Sequence, residues 1–384
     1  MSTRPSIAAG ASDIVRGDGS TVHTRDGRAL TDLACGFGAV FLGHAHPDIV
    51  APVQRQVGLM WSGGSYPTAI QEQAKGLIAE LLPTGFRPCG LYSTGMEAVE
   101  FALRVAASHT GRNQFVGFAR SMHGKSSLTA GLCWDNASIG SNRAHMVPFI
   151  DTLPEADILD RVATHLATGM IAAVLVEPVQ GSNGCLRASA GFYQQLVELC
   201  REHGVLTIFD EILTGLYRSG PRFRAETLHA SPDVLIFAKC IGNGFPASSV
   251  AVLDHIPLLP GALPGSTFAS NSLAAAAVVA TLQVMQRLPM RELVADIERG
   301  LQQALERCRL AGIGVRGSGA LWALELGSHV EMQPLLQEIH QRVLVTAQGR
   351  FIRLLPAANI EAEALLAACQ HITSACMRAQ SGGT

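Results

Sequence analysis

A layered α/β domain with a smaller α+β appendage is the architecture this sequence predicts, and three observations carry it. Short apolar runs alternate with helical patterns through the middle of the chain. Those runs are continuous, not alternating, which marks parallel strands buried on both faces. The last third changes character, with two long helical patterns followed by a Gly-rich strand region. At 384 residues, with 48% hydrophobic and only 16% charged, the chain can hold two domains and a large core. So little charge also implies that another subunit covers part of the apolar surface.

The elements follow in order. Thr21–Asp32 reads as a hairpin turning at Arg25-Asp26-Gly27, joined to the smaller domain. Ser93-Thr94-Gly95 opens a helical pattern with apolar positions at Val99, Ala102, Leu103 and Ala106. Gln114–Ala119 and Ile171–Val179 are strands, and Phe192–His203 is a helix stopped by Gly204. Val205–Asp210 and Val234–Ala238 are two more apolar strands. Asn271–Leu288 and Met290–Leu310 are expected as two long helices, followed by the strand region Ile313–Leu326. A helix near Val330–Val343, a strand at Phe351–Leu355 and a helix from about Ile360 complete the chain, before a frayed Ser-Gly-Gly-Thr end.

Composition excludes several classes. A net charge of -2 leaves no electrostatic footprint for nucleic acid or an acidic membrane. Nine cysteines occur without a CxxC pair or zinc-site spacing, which fits a reducing cytosol. The first residues lack the apolar run of a secretory signal, so a cytoplasmic location is expected. The apolar stretch Leu273–Met285 is too short to span a bilayer and reads as a buried helix. His44 and His46 sit in a Gly-His-Ala-His-Pro turn without metal-ligand partners, so no metal is expected.

Three strand ends carry the chemistry. Ile171–Val176 runs into Glu177, Val205–Phe209 into Asp210, and Val234–Ala238 into Lys239. In successive parallel strands these would ring one crevice at the carboxyl edge of the sheet, where α/β folds bind ligands. The Ser-Thr-Gly helix start adds free N–H groups and a favourable dipole end for an anion such as phosphate. A lysine, a carboxylate and a phosphate cradle together suit pyridoxal phosphate, which needs a Schiff-base lysine and a carboxylate beside its ring nitrogen.

The sequence resembles the class III (ω-amino acid type) aminotransferases. The resemblance is carried by TRDGRALTDLACGFGAVFLGHAHP (24–47), STGMEAVEFALR, MHGKS, EPVQGSNGC, FDEILTGLYRSG, FAKCIGNGFP and GSTFASNSLAAAA, in the family's order. It implies the fold-type I pyridoxal-phosphate architecture: a large domain over residues 48–272, with a mostly parallel seven-stranded sheet sandwiched by helices. A smaller domain would combine residues 1–47 and 273–384. The family pattern makes Lys239 the Schiff-base lysine and Asp210 the partner of the pyridinium nitrogen. Thr94, Gly95 and the Met96 N–H would hold the phosphate, and Thr267 would reach the cofactor of a partner subunit in a homodimer. Met122 would stand at the position of the aromatic that stacks on the ring, Glu177 would be a structural carboxylate near the cofactor, and Leu213 would lie near its phenolic oxygen, while His123 would either sit close to the cofactor or hold its loop by hydrogen bonds. Arg353 would meet a substrate carboxylate, with Trp61 and Ser182 also lining the substrate side.

Departures from the pattern are specific. Met96 stands where the family has Ser or Thr, Met122 where it has the stacking aromatic, and Leu213 where Gln is common. Ser182 stands where ornithine-type enzymes have the Glu that masks the arginine, leaving Arg353 unmasked. The expected activity is ping-pong amino transfer between an amine or ω-amino acid and a keto acid or aldehyde, with the substrate free or carried as an acyl group. Alternatives are intramolecular transfer like that of glutamate-1-semialdehyde aminomutase, or a non-catalytic protein on this fold. A nicotinamide enzyme is disfavoured, because no strand leads into a GxGxxG turn.

Overall fold

The computed structural model describes residues 13–64, 66–133, 142–259, 262 and 266–381. Residues 1–12 and the Gly-Gly-Thr of the expected frayed end lie outside them. The first described elements form an antiparallel meander of β1 (Ile14–Asp18), β2 (Thr21–Thr24) and β3 (Ala29–Asp32). Gly27, at φ +85°, closes the expected hairpin in a conformation that L side chains avoid.

The central sheet holds β4 (Phe86–Tyr92), β5 (Gln114–Phe118), β6 (Ala144–Val147), β7 (Ile171–Val176), β8 (Leu206–Asp210), β9 (Val234–Phe237) and β10 (Ser248–Leu253). Their order is β4-β10-β9-β8-β7-β5-β6, and β10 alone runs against the others. Alternation along the strands feeds two cores. Phe209, Leu235 and Phe237 join the core that includes Phe192 and Leu196 of the helix Ala190–Glu202. Ile208, Val234 and Ile236 face the other, packed by Ala98, Val99 and Phe101 of the helix Gly95–Thr110. Helices therefore cover both faces, which is why these strands carry no polar alternation.

The third sheet contains β11 (Gly314–Ser318), β12 (Leu321–Glu325), β14 (Thr346–Gln348) and β15 (Phe351–Leu354), in the order β11-β12-β15-β14. The two-residue β13 (Val343–Leu344) pairs in parallel with Thr31 and Asp32 of β3, so segments more than 300 positions apart share a sheet. That pairing corrects the expected helix, which runs only from Met332 to Ile339 before Val343 turns extended. The helix expected over Met290–Leu310 is also interrupted. It turns at the fully buried Leu305, and the short helix Glu306–Leu310 brings Cys308 into the core with Cys369 and Cys376 of the last helix. The helix Ser272–Arg287 is buried along most of its length and packs on helices Pro47–Val57 and Ala69–Leu81, as its apolar sequence predicts. Among the described residues no single helix is long and apolar enough to cross a membrane.

Candidate active site

Register brings the three charged strand ends together. Val176 pairs with Phe209, and Asp210 pairs with Ile236. Glu177 therefore follows β7 beside Asp210, the last residue of β8, and Lys239 emerges two residues beyond β9. Lys239 takes a positive φ of +39° and starts a 3-10 turn over Lys239–Gly242. A lysine in this region costs about 1–3 kcal/mol, a strain that local contacts must hold. Asn243, itself in the left-handed region, supplies two of them. Its side chain accepts from the Leu42 N–H at 2.8 Å and donates to the Gly43 carbonyl at 3.0 Å.

Asp210 is buried, and each of its oxygens is engaged. Oδ1 accepts from the Ile212 N–H at 3.0 Å, and Oδ2 lies 2.7 Å from Nδ1 of the buried His123. A carboxylate acceptor places the ring proton on Nδ1. The His123 backbone is held in turn by its N–H to Cys133 Sγ at 2.8 Å. Glu177 is buried behind this pair and accepts from the Met122 N–H at 2.7 Å. Burial pushes its carboxyl up to about 7, against the pull of His123, the Met122 N–H and Lys239. Lys239 retains some accessible surface, yet protein surrounds its ammonium. Burial lowers its pKa, Asp210 and Glu177 oppose that shift, and Arg353 reinforces it. The arrangement favours a lysine that can shed its charge and act as a nucleophile.

The helix Gly95–Thr110 presents its N-terminus to the same edge. Thr94 caps it by accepting from the Glu97 N–H at 3.1 Å, which leaves the Gly95 and Met96 N–H groups at the positive end of the dipole. Gly95 has no room for a side chain, because a Cβ there would sit 2.9 Å from Ile212 Cδ1. Met96 covers the loop that carries His123. Its Sδ accepts from the Lys125 N–H at 3.4 Å, and its Cγ lies where a Cβ on Gly124 would fall, 2.7 Å away.

Arg353 is buried in the middle of β15 and forms no ion pair with any described residue, and its Nε lacks a hydrogen-bond partner among them. Burial lowers its pKa, opposed by Cys185 and Glu177. Leu213 lies in an apolar cluster with Val179, Cys185, Leu321 and Leu355, filling the slot between Gly38 and Gly181. Ser182 is buried in the turn after Glu177.

Two expected residues lie apart from the cluster within this chain. Trp61 is exposed and ties its Nε1 to the Val57 carbonyl, and Thr267 is exposed on the loop before the helix Ser272–Arg287. His44 and His46 serve the turn. His44 Nε2 meets the buried Asp32 at 2.7 Å, and His46 Nδ1 accepts from the Asp48 N–H at a helix start. The sequence reading missed Asn243, Cys133 and the buried Arg218. Of these, only Asn243 carried a local signal, being a residue that tolerates left-handed turns.

The site fits pyridoxal phosphate on its own groups. Lys239 Nζ makes no hydrogen bond with any described residue, and His123 Nε2 and Arg353 Nε are buried without partners among them. The free N–H groups at Gly95 and Met96 suit a phosphate.

Comparison with known proteins gives the same direction. The aminotransferase class-III family profile matches residues 6–376. A [LysW]-aminoadipate semialdehyde transaminase of Deinococcus radiodurans is 33% identical over 91% of this chain and 82% of its own length. A 5-aminovalerate aminotransferase of Pseudomonas aeruginosa is 33% identical over 88% of this chain and 84% of its own. Among solved structures, the ornithine aminotransferase of Toxoplasma gondii, with pyridoxal phosphate at partial occupancy, superposes with a TM-score of 0.85 at 26% identity, covering 97% of this chain and 91% of that one. With its mostly parallel seven-stranded sheet and this match along nearly its whole length, the chain belongs to the class III aminotransferases, enzymes that use pyridoxal phosphate to transfer amino groups.

Proposed function

We propose that this enzyme takes its amino group from an ω-amino acid and delivers it to a keto acid, with Lys239 as the reacting base and Arg353 as the anchor for the donor carboxylate. One observation carries the reading. Lys239, Asp210 and Glu177 meet at adjacent strand ends, and a buried arginine without an ion-pair partner among the described residues stands beside them. Bound here, pyridoxal phosphate supplies an aldehyde that condenses with amines and a ring that draws electrons from the amine-bearing carbon.

The chain's own groups do the rest. The Lys239 amine holds the cofactor and, once released as a neutral amine, takes the proton from the donor carbon. Asp210 keeps a proton on the ring nitrogen, and His123 fixes the orientation of that carboxylate. The Gly95 and Met96 N–H groups, with Thr94, hold the phosphate. Met122 and Leu213 give the ring apolar neighbours, and Ser182 leaves Arg353 unmasked.

The unit that holds the cofactor is residues 48–272, with 1–47 and 273–384 forming the smaller one. The enzyme works as a homodimer in which Thr267 serves the partner's site. Supporting this, Leu59 and Phe268, 78% and 67% exposed, stand with Trp61 on loops joined by the Ser272 N–H to the Trp61 carbonyl. A direct test supplies 2-oxoglutarate with 5-aminopentanoate or with pentylamine, which lacks the carboxylate. Glutamate should form faster from the amino acid, and equal rates would overturn the role given to Arg353.

A further inference from the structure

Arg218 is fully buried, yet it forms no ion pair with any described residue. Its guanidinium is met by main-chain carbonyls instead. Nη1 donates to Ala320 at 3.1 Å and Pro356 at 2.5 Å, Nη2 donates to Gly38 at 3.1 Å, and the group lies 4.1 Å from the centre of the Phe41 ring. Burying a cation without a carboxylate partner is costly even when carbonyls meet it, and an apolar side chain of similar size would pack there at less cost. The contacts therefore point to a geometric task.

Each contact reaches a segment that frames the active site. Pro356 follows β15 three residues after Arg353. Ala320 precedes β12, whose Ala323 pairs with Arg353, and its N–H donates to the Arg218 carbonyl at 2.9 Å. A Cβ on Gly319 would come within 2.4 Å of Gly220 N, so this turn is pressed against the Arg218 segment. The third segment is the Gly38 loop. The same Gly38 carbonyl accepts from Cys240 Sγ at 3.4 Å, and Cys240 is the residue after Lys239. One fully buried guanidinium thus joins the strand of Arg353 to the loop that contacts the segment of Lys239.

We propose that Arg218 is a positioning residue that fixes the reach from Lys239 to Arg353, and so sets the carboxylate-to-amine separation the enzyme accepts in its donor. This rests on the reading of Arg353 as the carboxylate anchor. A misplacement of about 1 Å in such a framework can cost up to about a hundredfold in rate.

The test compares 3-aminopropanoate, 4-aminobutanoate, 5-aminopentanoate and pentylamine as donors to 2-oxoglutarate, in the wild-type holoenzyme and in Arg218→Met, Arg218→Lys and Arg353→Met. The wild type should show a sharp optimum among the three acids. Arg218→Met should flatten it, raising KM for the best acid about tenfold while kcat/KM for pentylamine stays within about twofold. Arg218→Lys, which keeps the charge but not the fork, should flatten it partly and serves if the methionine variant does not fold. A uniform fall across all four donors, or a wild-type length profile in both Arg218 variants, would overturn the proposal. If Arg353→Met handles acids and pentylamine as the wild type does, the anchor reading falls and this inference falls with it.

Discussion

Glu177→Gln isolates what burial does to a charge at the back of the site. The glutamine is nearly isosteric, and its Oε1 can keep the Met122 N–H bond, so the change removes ionisation and little else. In the folded protein burial pushes the Glu177 carboxyl up from the ordinary 4.5 to about 7. Between those values the folded state binds the extra proton. Stability is therefore fully present below the unfolded pKa, falls as pH rises through the window, and levels off above about 7. A rise of that size corresponds to a few kcal/mol, most of which falls between pH 5 and pH 8. Over 384 residues the unfolding entropy is about 0.8 kcal/mol per degree, so a loss of roughly 2–3 kcal/mol moves Tm by about 3 °C. Thermal scans of the cofactor-free protein at pH 5 and pH 8 check this. Relative to wild type, Glu177→Gln should gain about 3 °C between the two conditions. A difference in Tm that is the same at both pH values would refute the argument, because Glu177 would then be equally ionised in the folded and unfolded states.

Other outcomes follow from the same geometry. Lys239→Ala should abolish amino transfer and the visible absorbance of the bound cofactor, and a variant with wild-type turnover would contradict the proposed base. Phe268→Asp should shift the protein from dimer to monomer in sedimentation at micromolar concentration, with activity lost in parallel. Asn243→Ala removes two hydrogen bonds and puts alanine at a positive φ, for roughly 2–3 kcal/mol, or about 3 °C in Tm by calorimetry.

Much of this site was legible in the sequence because its logic is local. A strand buried on both faces must be apolar, so a charge at its end stands out, and Glu177, Asp210 and Lys239 each end such a run. Their convergence needed only that the strands be neighbours and parallel, which strand–helix alternation implies. The rest depends on contacts between distant segments. Arg218 meets carbonyls 102, 138 and 180 positions away, and nothing in its neighbours marks it as buried. The two-residue strand at Val343 has no periodicity to read and is created by its pairing with Thr31. The turn at Leu305 has no Gly or Pro to announce it, because leucine is a good helix former. Trp61 and Thr267 carry family motifs, but a single chain leaves both facing outward.

The central claim is that Lys239 holds the cofactor, and the chain makes it unusually easy to test, since it contains only three lysines, Lys75, Lys125 and Lys239. Borohydride treatment of the holoenzyme fixes the cofactor to whichever amine carries it, and tryptic peptides can then be weighed. Modification at Lys239 would block cleavage there and give one cofactor-bearing peptide spanning residues 225–287. A cofactor found on Lys75 or Lys125, or on no lysine at all, would contradict the account.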